Sequence, residues 1–543
     1  MRALSLRKIE VKSWVLILWI AAFFTTFMNI SLWKFVAEKI AIGSFIDVIF
    51  TMTLPIFVFA AMVLIFALLF LPYLGKFITI AFLLISAYAS HAMFYYGVFI
   101  DQEMVQNVFE TNPREAVELI TLTLILWCLI LGVVPSILLF AVKVKFASVK
   151  REIILRVVMI FAALLTVGLI AAIVYKEYAS FGRNNKQVTR LINPTNFVEG
   201  TIKYARNLYL SQKEFEILDP APKYAPKDAT RLKVFVIVIG ETARAANFSL
   251  GGYTKETNPL LARQNGLIYF NNVKSCGTST GVSVPCIFSN LPRKEFKTGD
   301  FYYRENLMDI ISKSGYKTLW LENDDGCKGV CDRIENYEMI HTNAAKDHCD
   351  DRYCFDSILL DGLEDLIVKT NENLVLVLHA IGSHGPTYFR RYPSEFKKFT
   401  PICETAELQN CSTEQIINVY DNTILYTDFI LSETIDILRK FGDRKTGLLF
   451  VSDHGENLGE NGIYLHGFPY MIAPKEQIEV PMLLWLNENM IKLNKINYEC
   501  LARNAKSKEY SHDNLFSSFS SLLNISTTLY DPELDIFAPC RVK

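Results

Sequence analysis

Five long apolar runs fill the first third of the chain and constrain its fold more than any other feature. Each run can cross the hydrocarbon core of a bilayer, which needs about 20 apolar residues. The chain is 51% hydrophobic, yet such runs are nearly confined to the residues before 175. They are Trp14–Trp33, Phe45–Leu71, Phe77–Ile100, Ala116–Val142 and Ile153–Tyr175. We therefore expect residues 1–175 to form a transmembrane domain of five helices.

Basic residues cluster before the first run and between the fourth and fifth runs, whereas the loop after the third run is acidic. Basic loops stay on the cytoplasmic side, so the N-terminus is predicted to be cytoplasmic. After five crossings the rest of the chain lies on the outer side. A cleaved signal peptide fits poorly, because four more apolar runs follow the first. The basic residues are Arg2, Arg7, Lys8, Lys12, Lys143, Lys145, Lys150 and Arg151.

The cysteines agree with an exported C-terminal part. Ten of the eleven lie beyond the apolar runs, and Cys128 alone lies inside one. An even number of cysteines in an oxidising compartment indicates disulfides. Pairing each cysteine with its nearest neighbour predicts Cys276–Cys286, Cys327–Cys331, Cys349–Cys354, Cys403–Cys411 and Cys500–Cys540. A zinc ribbon built from the second and third pairs is the alternative, and it is disfavoured because structural zinc prefers tighter C-x₂-C knuckles.

We expect residues 176–231 to form a juxtamembrane region and residues 232–543 to form a catalytic domain. The stretch FVEGTIKYARNLYLS has helical spacing of apolar residues, which fits either a packing helix or an amphipathic helix on the membrane surface. Three prolines in the stretch LDPAPKYAPKDATR predict a stiff spacer. The net charge of −1 offers no case for nucleic acid as a partner.

From residue 232 onwards short apolar runs alternate with helical stretches, and four of these runs end abruptly in polar residues. This pattern predicts an α/β domain whose mainly parallel sheet is covered by helices on both faces. The four runs are Val234–Glu241, Tyr316–Asp324, Asn373–His384 and Thr446–Glu456. Ligands bind beyond the carboxyl ends of such strands. The polar residues expected at this edge are Glu241, Asn323, Asp324, His384, Asp453 and His454.

Three of these residues form a set typical of a zinc site. Asp453 and His454 follow one strand, and Glu241 ends another. Two carboxylates and an imidazole suit zinc and leave one position for a reactive group. Taken singly, each residue has a plainer explanation, because an acid at a strand end usually caps a helix and a lone histidine usually packs in the core. Their convergence on one edge favours a metal site.

The segment SCGTSTGVSVPC offers four hydroxyls between two cysteines: Thr278, Ser279, Thr280 and Ser283. A hydroxyl becomes a good nucleophile at neutral pH when a base or a metal lowers its pKa. The stretch VSVPCIFSNL, which overlaps the end of this segment, can form a helix that begins near Pro285 or is kinked by it. At least two of the hydroxyls are expected only to cap that helix. Sequence physics leaves all four open as the nucleophile.

Three further residues, His384, His466 and Lys328, lie in loops near the strand ends. Each can bind a phosphate or protonate a leaving group.

Five motifs in this order resemble the bacterial lipid A phosphoethanolamine transferases, a family that includes the mobile colistin-resistance enzymes. The motifs are GETAR at 240–244, SCGTSTGVSVPCIFSNL at 275–291, CKGVCDR at 327–333, GSHGPTY at 382–388 and SDHGENLGENGIYLHGFPY at 452–470. The resemblance covers nearly the whole chain. It implies an inner-membrane protein of a Gram-negative bacterium with a periplasmic alkaline-phosphatase/sulfatase-like domain, expected to be a monomer.

The resemblance also implies roles for individual residues. Thr280 is the nucleophile, and Glu241, Thr280, Asp453 and His454 form the zinc set. His384 and His466 contact a second zinc ion or the phosphate, and Lys328 contacts substrate. Glu295 matches a further family position only loosely, and we add Asp324 from the strand edge as a candidate substrate contact. The implied reaction moves phosphoethanolamine from phosphatidylethanolamine to lipid A through a covalent threonine intermediate, which confers resistance to cationic peptides such as polymyxin.

Other functions remain open on the sequence. The acceptor can be a core heptose, another glycan or a protein. A phosphoglycerol transferase of the lipoteichoic acid synthase type shares the architecture, but that family lacks cysteines around the nucleophile. A sulfatase would need a C/S-x-P-x-R motif, which CIFSN after Pro285 does not provide. A non-catalytic membrane sensor would be expected to have lost the nucleophile or the metal ligands, which are all present.

Overall fold

The computed structural model describes residues 9–40, 43–111, 113–210, 214–224, 232–343, 345–349 and 353–542. Within-chain contacts divide the protein into two compact units. The membrane unit comprises Met1–Val105 and Ile120–Lys203, and the catalytic unit comprises Gln106–Leu119 and Tyr204–Lys543. The catalytic unit therefore includes a short segment whose sequence lies between two apolar runs.

Helices dominate the first 210 residues. Within the described residues, four helical stretches are long and apolar enough to span a membrane: Phe45–Leu69, Gly75–Tyr95, Leu122–Ala141 and Val149–Asn184. The bent pair of Ser13–Met28 and Ile30–Lys39 makes a fifth span when it is counted as one. The helices are α1 Ser13–Phe23, α2 Ile30–Lys39, α3 Phe45–Leu69, α4 Gly75–Tyr95, α5 Gln102–Glu110, α6 Pro113–Glu118, α7 Leu122–Trp127, α8 Val134–Ala141, α9 Val149–Asn184 and α10 Thr195–Leu210. Five-residue and six-residue π-helical segments, Phe24–Met28 and Cys128–Val133, extend α1 and join α7 to α8.

The first apolar run is broken, which differs from the continuous helix predicted for Trp14–Trp33. Ser13–Met28 and Ile30–Lys39 meet at 55°. Asn29 lies at the break, where its side-chain amide donates to the carbonyls of Phe24 at 2.8 Å and Asn193 at 2.9 Å. A buried backbone carbonyl needs such a partner, so Asn29 stabilises the bend.

The fourth and fifth spans also differ from their predicted bounds. The fourth begins at Leu122 rather than Ala116, because Thr121 caps it by accepting a hydrogen bond from the backbone N–H of Leu124 at 3.1 Å. The fifth continues through Tyr175 to Asn184 as one helix of 36 residues.

The predicted juxtamembrane helix is α10, and its first half packs within the membrane unit. Phe197 is buried, and a Cβ at Gly200 would lie 2.9 Å from the carbonyl oxygen of Asp101. The described part of the proline-containing stretch differs from a free spacer. The buried Asp219 donates its backbone N–H to Glu305 at 3.2 Å within the catalytic unit. Pro226 lies outside the described residues.

The strands, in chain order, are β1 Glu10–Lys12, β2 Lys143–Lys145, β3 Lys223–Tyr224, β4 Lys233–Gly240, β5 Leu267–Phe270, β6 Val273–Lys274, β7 Lys317–Glu322, β8 Glu335–Glu338, β9 Leu374–His379, β10 Lys445–Ser452, β11 Asn457–Leu458, β12 Tyr464–Leu465, β13 Met482–Leu486, β14 Tyr510–Ser511 and β15 Ile525–Ser526. The remaining helices are α11 Thr280–Ile287, α12 Thr298–Phe301, α13 Leu307–Lys313, α14 Ala345–His348, α15 Leu363–Lys369, α16 Thr413–Arg439, α17 Lys475–Ile478, α18 Glu488–Asn494, α19 Tyr498–Ser507 and α20 Leu515–Leu522.

Seven strands form the central sheet of the catalytic unit in the order β5-β13-β10-β4-β9-β7-β8. β13 is antiparallel to both of its neighbours, and the pairs β10–β4, β4–β9, β9–β7 and β7–β8 are parallel. The four polar-ended strands predicted from the sequence are therefore adjacent, and their carboxyl ends lie at one edge.

Alternate residues of each central strand face opposite hydrophobic cores. In β4, Phe235, Ile237 and Ile239 join the core that contains residues of α11, α13 and α20. Val234, Val236 and Val238 join the core that contains residues of α15 and α16. This period of two, with both faces apolar, is what a parallel sheet between helix layers requires. The predicted fold class is confirmed.

The structure contains the five disulfides that nearest-neighbour pairing predicts: Cys276–Cys286, Cys327–Cys331, Cys349–Cys354, Cys403–Cys411 and Cys500–Cys540. Cys128 is a free thiol in the membrane unit.

Candidate metal centre and active site

Two neighbouring strands bring three candidate metal ligands together. Gly240 at the end of β4 pairs with Ser452 at the end of β10, so the residues that follow each strand emerge side by side. These residues are Glu241, Asp453 and His454, and all three are fully buried.

The acceptor atoms of these residues lie close together. His454 Nε2 lies 3.4 Å from Glu241 Oε1 and 3.2 Å from Asp453 Oδ2. The Thr280 hydroxyl donates to Glu241 Oε2 at 3.0 Å. Two carboxylates, an imidazole and the Thr280 hydroxyl thus lie close together, and this donor set suits a four-coordinate zinc ion.

Hydrogen bonds around these ligands orient them. His454 Nδ1 lies 3.0 Å from the carbonyl oxygen of Gly455 and must donate to it, which leaves Nε2 as the ligand atom. Asp453 Oδ1 accepts from the backbone N–H groups of Thr242 at 3.2 Å and His454 at 2.7 Å, which leaves Oδ2 for a ligand.

The electrostatics of this cluster favour a bound cation. Burial and the nearby charge of Asp453 raise the pKa of Glu241 well above its ordinary value. Burial raises the pKa of Asp453 to about 6, and burial together with the charge of His466 holds the pKa of His454 well below its ordinary value. Within the described residues, Glu241 Oε1, Asp453 Oδ2 and His454 Nε2 are buried atoms without a hydrogen-bond partner. Leaving such atoms unsatisfied is costly, so the residues present fit a divalent metal ion.

Tertiary contacts distinguish the four hydroxyls of the loop between Cys276 and Cys286. Thr278 donates to the carbonyl of Phe468 at 2.6 Å, and Ser283 accepts from the backbone N–H of Gly277 at 2.9 Å. Ser279 Oγ is buried and has no partner among the described residues. Of these four hydroxyls, only that of Thr280 donates a hydrogen bond to a candidate metal ligand.

The expectation that at least two of these hydroxyls cap the helix is wrong. Thr280 is the first residue of α11, and Ser279 takes the N-cap position without a side-chain cap hydrogen bond. Thr278 and Ser283 instead hold the loop in shape through their hydrogen bonds to Phe468 and Gly277. The Cys276–Cys286 disulfide closes this loop, in which Gly277 lies against Ser283. Pro285 lies inside the helix.

Four of the remaining predicted site residues, Asp324, Lys328, His384 and His466, line one pocket next to Thr280. Lys328 Nζ donates to the carbonyl and the carboxylate of Asp325 at 2.7 and 2.9 Å. The rings of His384 and His466 are 6.0 Å apart, and His466 Nδ1 lies 3.4 Å from Glu456 Oε2. The lining residues are Asn107, Thr111, Ser279, Thr280, Gly281, Asp324, Asp325, Lys328, His384 and His466.

One residue from the family match, Glu295, and one predicted edge residue, Asn323, have other surroundings. Glu295 is exposed and does not belong to the residues that line this pocket. Asn323 donates to Asp356 Oδ1 at 2.8 Å, a partly buried contact that supports the edge of the sheet.

Sequence reasoning missed several residues around the site. Asn107 and Thr111 line the pocket from the segment between two apolar runs, where composition carries no sign of a role. His379 ends β9 and lies 2.9 Å from Glu322 and 3.7 Å from Asp324. Burial lowers the pKa of His379, but the charges of these two carboxylates more than offset this and raise it to about 9. The end of β9 was a signal that could have identified His379.

Two family profiles match the sequence: the sulfatase family over residues 233–525, and phosphoethanolamine transferase EptA/EptB over residues 58–209. Phosphoethanolamine transferase EptA of Escherichia coli K12 is 38% identical, with 99% of each chain covered. The protein belongs to the phosphoethanolamine transferase family. Phosphatidylethanolamine transferase Mcr-1 of Escherichia coli is also similar, at 35% identity over 88% of this chain and 90% of Mcr-1.

A solved structure of this transferase family agrees with the fold. The integral membrane protein lipooligosaccharide phosphoethanolamine transferase A of Neisseria meningitidis has a TM-score of 0.96 and 37% identity. The match covers 98% of this chain and 100% of that one. The protein is therefore a transferase of the Gram-negative inner membrane, with apolar helices followed by a sulfatase-like soluble domain in the periplasm.

Proposed function

We propose that this transferase moves phosphoethanolamine from phosphatidylethanolamine to a phosphate of lipid A, through a covalent intermediate on Thr280 and with Zn²⁺ in its metal centre. The hydrogen bond from the Thr280 hydroxyl to Glu241, inside a cluster of buried ligand atoms, is the observation that carries this proposal. Mcr-1 is named a phosphatidylethanolamine transferase, which supports the donor. The Neisseria meningitidis protein is named a lipooligosaccharide phosphoethanolamine transferase, which supports the acceptor.

Glu241, Thr280, Asp453 and His454 would hold the zinc ion, and His384 and His466 are the candidates for a second one. A zinc ion supplies positive charge that favours a deprotonated hydroxyl and offsets the charge of phosphoryl oxygens. Zinc is preferred over harder cations because the set includes an imidazole.

In the first step, Thr280 Oγ1 attacks the phosphorus of phosphatidylethanolamine. Its proton leaves along the hydrogen bond to Glu241 Oε2. The Oγ1–P bond forms, the bond from phosphorus to the glycerol oxygen breaks, and diacylglycerol leaves with a proton from His384 or His466. Both imidazoles line the pocket beside Thr280, as does the Lys328 ammonium group, which offsets charge on the phosphoryl oxygens.

In the second step, a phosphate oxygen of lipid A attacks the same phosphorus. The new P–O bond gives a diphosphate linkage, and the bond to Thr280 Oγ1 breaks. The proton held by Glu241 returns to Thr280 Oγ1, and the histidine that protonated diacylglycerol takes the proton released by the attacking lipid A phosphate, which restores the starting enzyme. His384 or His466 orients the attacking phosphate, and Glu456 holds His466 in place at 3.4 Å.

Both substrates are membrane lipids, which accounts for a chain with about a quarter of its residues in apolar helices. We propose that the protein acts as a monomer. The added ethanolamine ammonium offsets a lipid A phosphate charge, so cationic peptides such as polymyxin bind the outer membrane less strongly.

Lipid mass spectrometry of a Gram-negative host tests this proposal. The host expresses the wild type, Thr280→Ala or Thr413→Ala, the last an exposed threonine on α16 that serves as the matched control. We expect a phosphoethanolamine mass gain on lipid A and polymyxin resistance with the wild type and the control, and neither with Thr280→Ala. A mass gain on a core sugar would contradict the acceptor. A covalent adduct that persists in purified Thr280→Ala would contradict the nucleophile.

A further inference from the structure

The segment Gln106–Leu119 belongs to the catalytic unit by its contacts, although its sequence lies between two membrane spans. Asn107 and Thr111, on this segment, line the same pocket as Thr280 and His384. The shape of that pocket therefore depends on what holds the segment in place.

One buried ion pair holds the C-terminal end of the segment. Glu118 is 6% exposed, and its Oε2 lies 2.6 Å from Arg391 Nη2. The same carboxylate oxygen accepts a hydrogen bond from the Thr387 hydroxyl. Arg390 contributes a longer contact of 3.7 Å to the other carboxylate oxygen. A carboxylate with these partners is a fixed point of the segment, because a buried charge is stable only while it stays paired.

Arg391 connects this fixed point to the active site. It is 1% exposed, and its Nε donates to the backbone carbonyl of His384 at 2.9 Å. Its Nη2 also donates to Thr387 at 3.1 Å, and its guanidinium group lies 4.3 Å from the ring centroid of Tyr353. One planar guanidinium thus holds the backbone of His384 with one nitrogen and Glu118 with another, a geometry that lysine cannot reproduce.

We propose that Glu118 and Arg391 are positioning residues for phosphoethanolamine transfer: their ion pair sets the distance between His384 and the segment that carries Asn107 and Thr111. This inference rests on the proposed function. Neither residue belongs to the pocket lining. The pair acts through His384 on one side and through the segment on the other, so its loss widens the pocket and weakens binding of the phospholipid donor.

The test uses the full chain in detergent with zinc added and a phosphatidylethanolamine donor. Glu118→Gln keeps the size of the side chain and removes the charge, and Glu118→Asp keeps the charge and shortens the reach. Val117→Ala, at a 44% exposed position of the same short helix, is the matched control. We expect Glu118→Gln to raise the KM for the donor roughly tenfold with kcat within about threefold, because a displaced binding group mainly weakens substrate binding. Glu118→Asp is expected to lie between Gln and the wild type, and the control at the wild type.

Amide hydrogen exchange supplies a readout that is independent of the chemistry. We expect Glu118→Gln and Arg391→Lys to speed exchange in residues 106–119 and 384–391 and to leave the central sheet unchanged. A Glu118→Gln protein with wild-type KM and wild-type exchange would overturn the proposal. So would uniformly faster exchange with a lowered Tm, since this would make the pair a general stabiliser. Failure of the proposed function is distinguishable, because it would appear as activity retained in Thr280→Ala.

Discussion

His512 contacts Cys276 and connects the loop between Cys276 and Cys286 to the end of β10, which is followed by two of the candidate metal ligands. Its Nδ1 accepts the backbone N–H of Cys276 at 3.0 Å, and its Nε2 lies 3.0 Å from the carbonyl oxygen of Ser452, the residue before Asp453. A carbonyl only accepts and an N–H only donates, so this imidazole is neutral with its proton on Nε2. One buried ring thus holds the loop closed by the Cys276–Cys286 disulfide next to the candidate metal ligands.

This arrangement predicts a pH dependence of stability. Burial lowers the pKa of His512 from 6.5 to about 3. Between these pH values the unfolded chain binds a proton at His512 and the folded protein does not, so stability falls as the pH is lowered through this window. The expected slope is about 1.4 kcal/mol per pH unit at most. His512→Gln removes this contribution, which is checked by denaturant unfolding of the zinc-loaded protein between pH 7 and pH 4. The same change at the exposed His341 is the control, and an unaltered slope in His512→Gln would contradict the prediction.

Metal binding is expected to stabilise the protein more at pH 7 than at pH 5. Burial raises the pKa of Asp453 from 3.8 to about 6, so the metal-free folded protein holds more protons than the unfolded chain in this range and loses stability as the pH rises. A bound cation needs the carboxylate form and removes that penalty. The measurement is the shift in Tm on adding zinc to chelator-treated protein at both pH values. Asp453→Asn should lose most of the shift, and equal shifts in wild type and variant would rule out this site.

The Cys276–Cys286 disulfide is expected to matter for catalysis as well as for stability. It closes a loop over a sequence separation of 10, and Cys403–Cys411 closes one of 8 elsewhere in the unit. Replacing either pair with serines should cost about 2–3 kcal/mol of unfolding free energy, because the loops are of similar length. Only the Cys276→Ser/Cys286→Ser protein should lose roughly tenfold or more in kcat, since Thr280 lies within that loop. Equal losses of kcat in both variants would show that the bridge has no special relation to the nucleophile.

Gly382 is expected to control the placement of Glu241. Its φ is +50°, and a Cβ at this position would lie 2.7 Å from the carbonyl oxygen of Glu241. Gly382→Ala must therefore move the backbone of Glu241, a candidate metal ligand. Gly362, with φ +69° and open space around it, is the matched control for backbone strain alone. We expect both alanine variants to lose about 1 kcal/mol of stability. Only Gly382→Ala should also bind less zinc in equilibrium dialysis, and retained zinc affinity would contradict the steric argument.

Much of the fold followed from periodicity and composition. Apolar runs predicted the membrane spans, and continuous apolar strands predicted a sheet buried on both faces. The strand ends at Glu241 and Asp453 predicted a shared edge, and β4 and β10 are adjacent in the sheet. These features depend on the local sequence, because a buried strand or a membrane span must be apolar along its own length.

The bend at Asn29 and the placement of the segment around Glu118 in the catalytic unit were not predictable in this way. Both depend on partners distant in sequence, Asn193 for the first and Arg391 for the second. The order of residue types along the chain does not reveal such pairings, because a polar residue within an apolar run looks the same in the sequence whether or not it has a partner in the fold.

The sequence by itself determined the class of the protein: membrane spans, a parallel sheet between helix layers, and acids and histidines at one edge. Residue types and spacing left four hydroxyls equivalent between Cys276 and Cys286, and only the resemblance to a family pointed to Thr280. The tertiary structure separates them physically, because Thr278 donates a hydrogen bond to Phe468 and Thr280 donates one to Glu241. The physical reason is that the chemistry of a hydroxyl depends on the charge and burial of the groups it meets, and folding alone decides which groups those are.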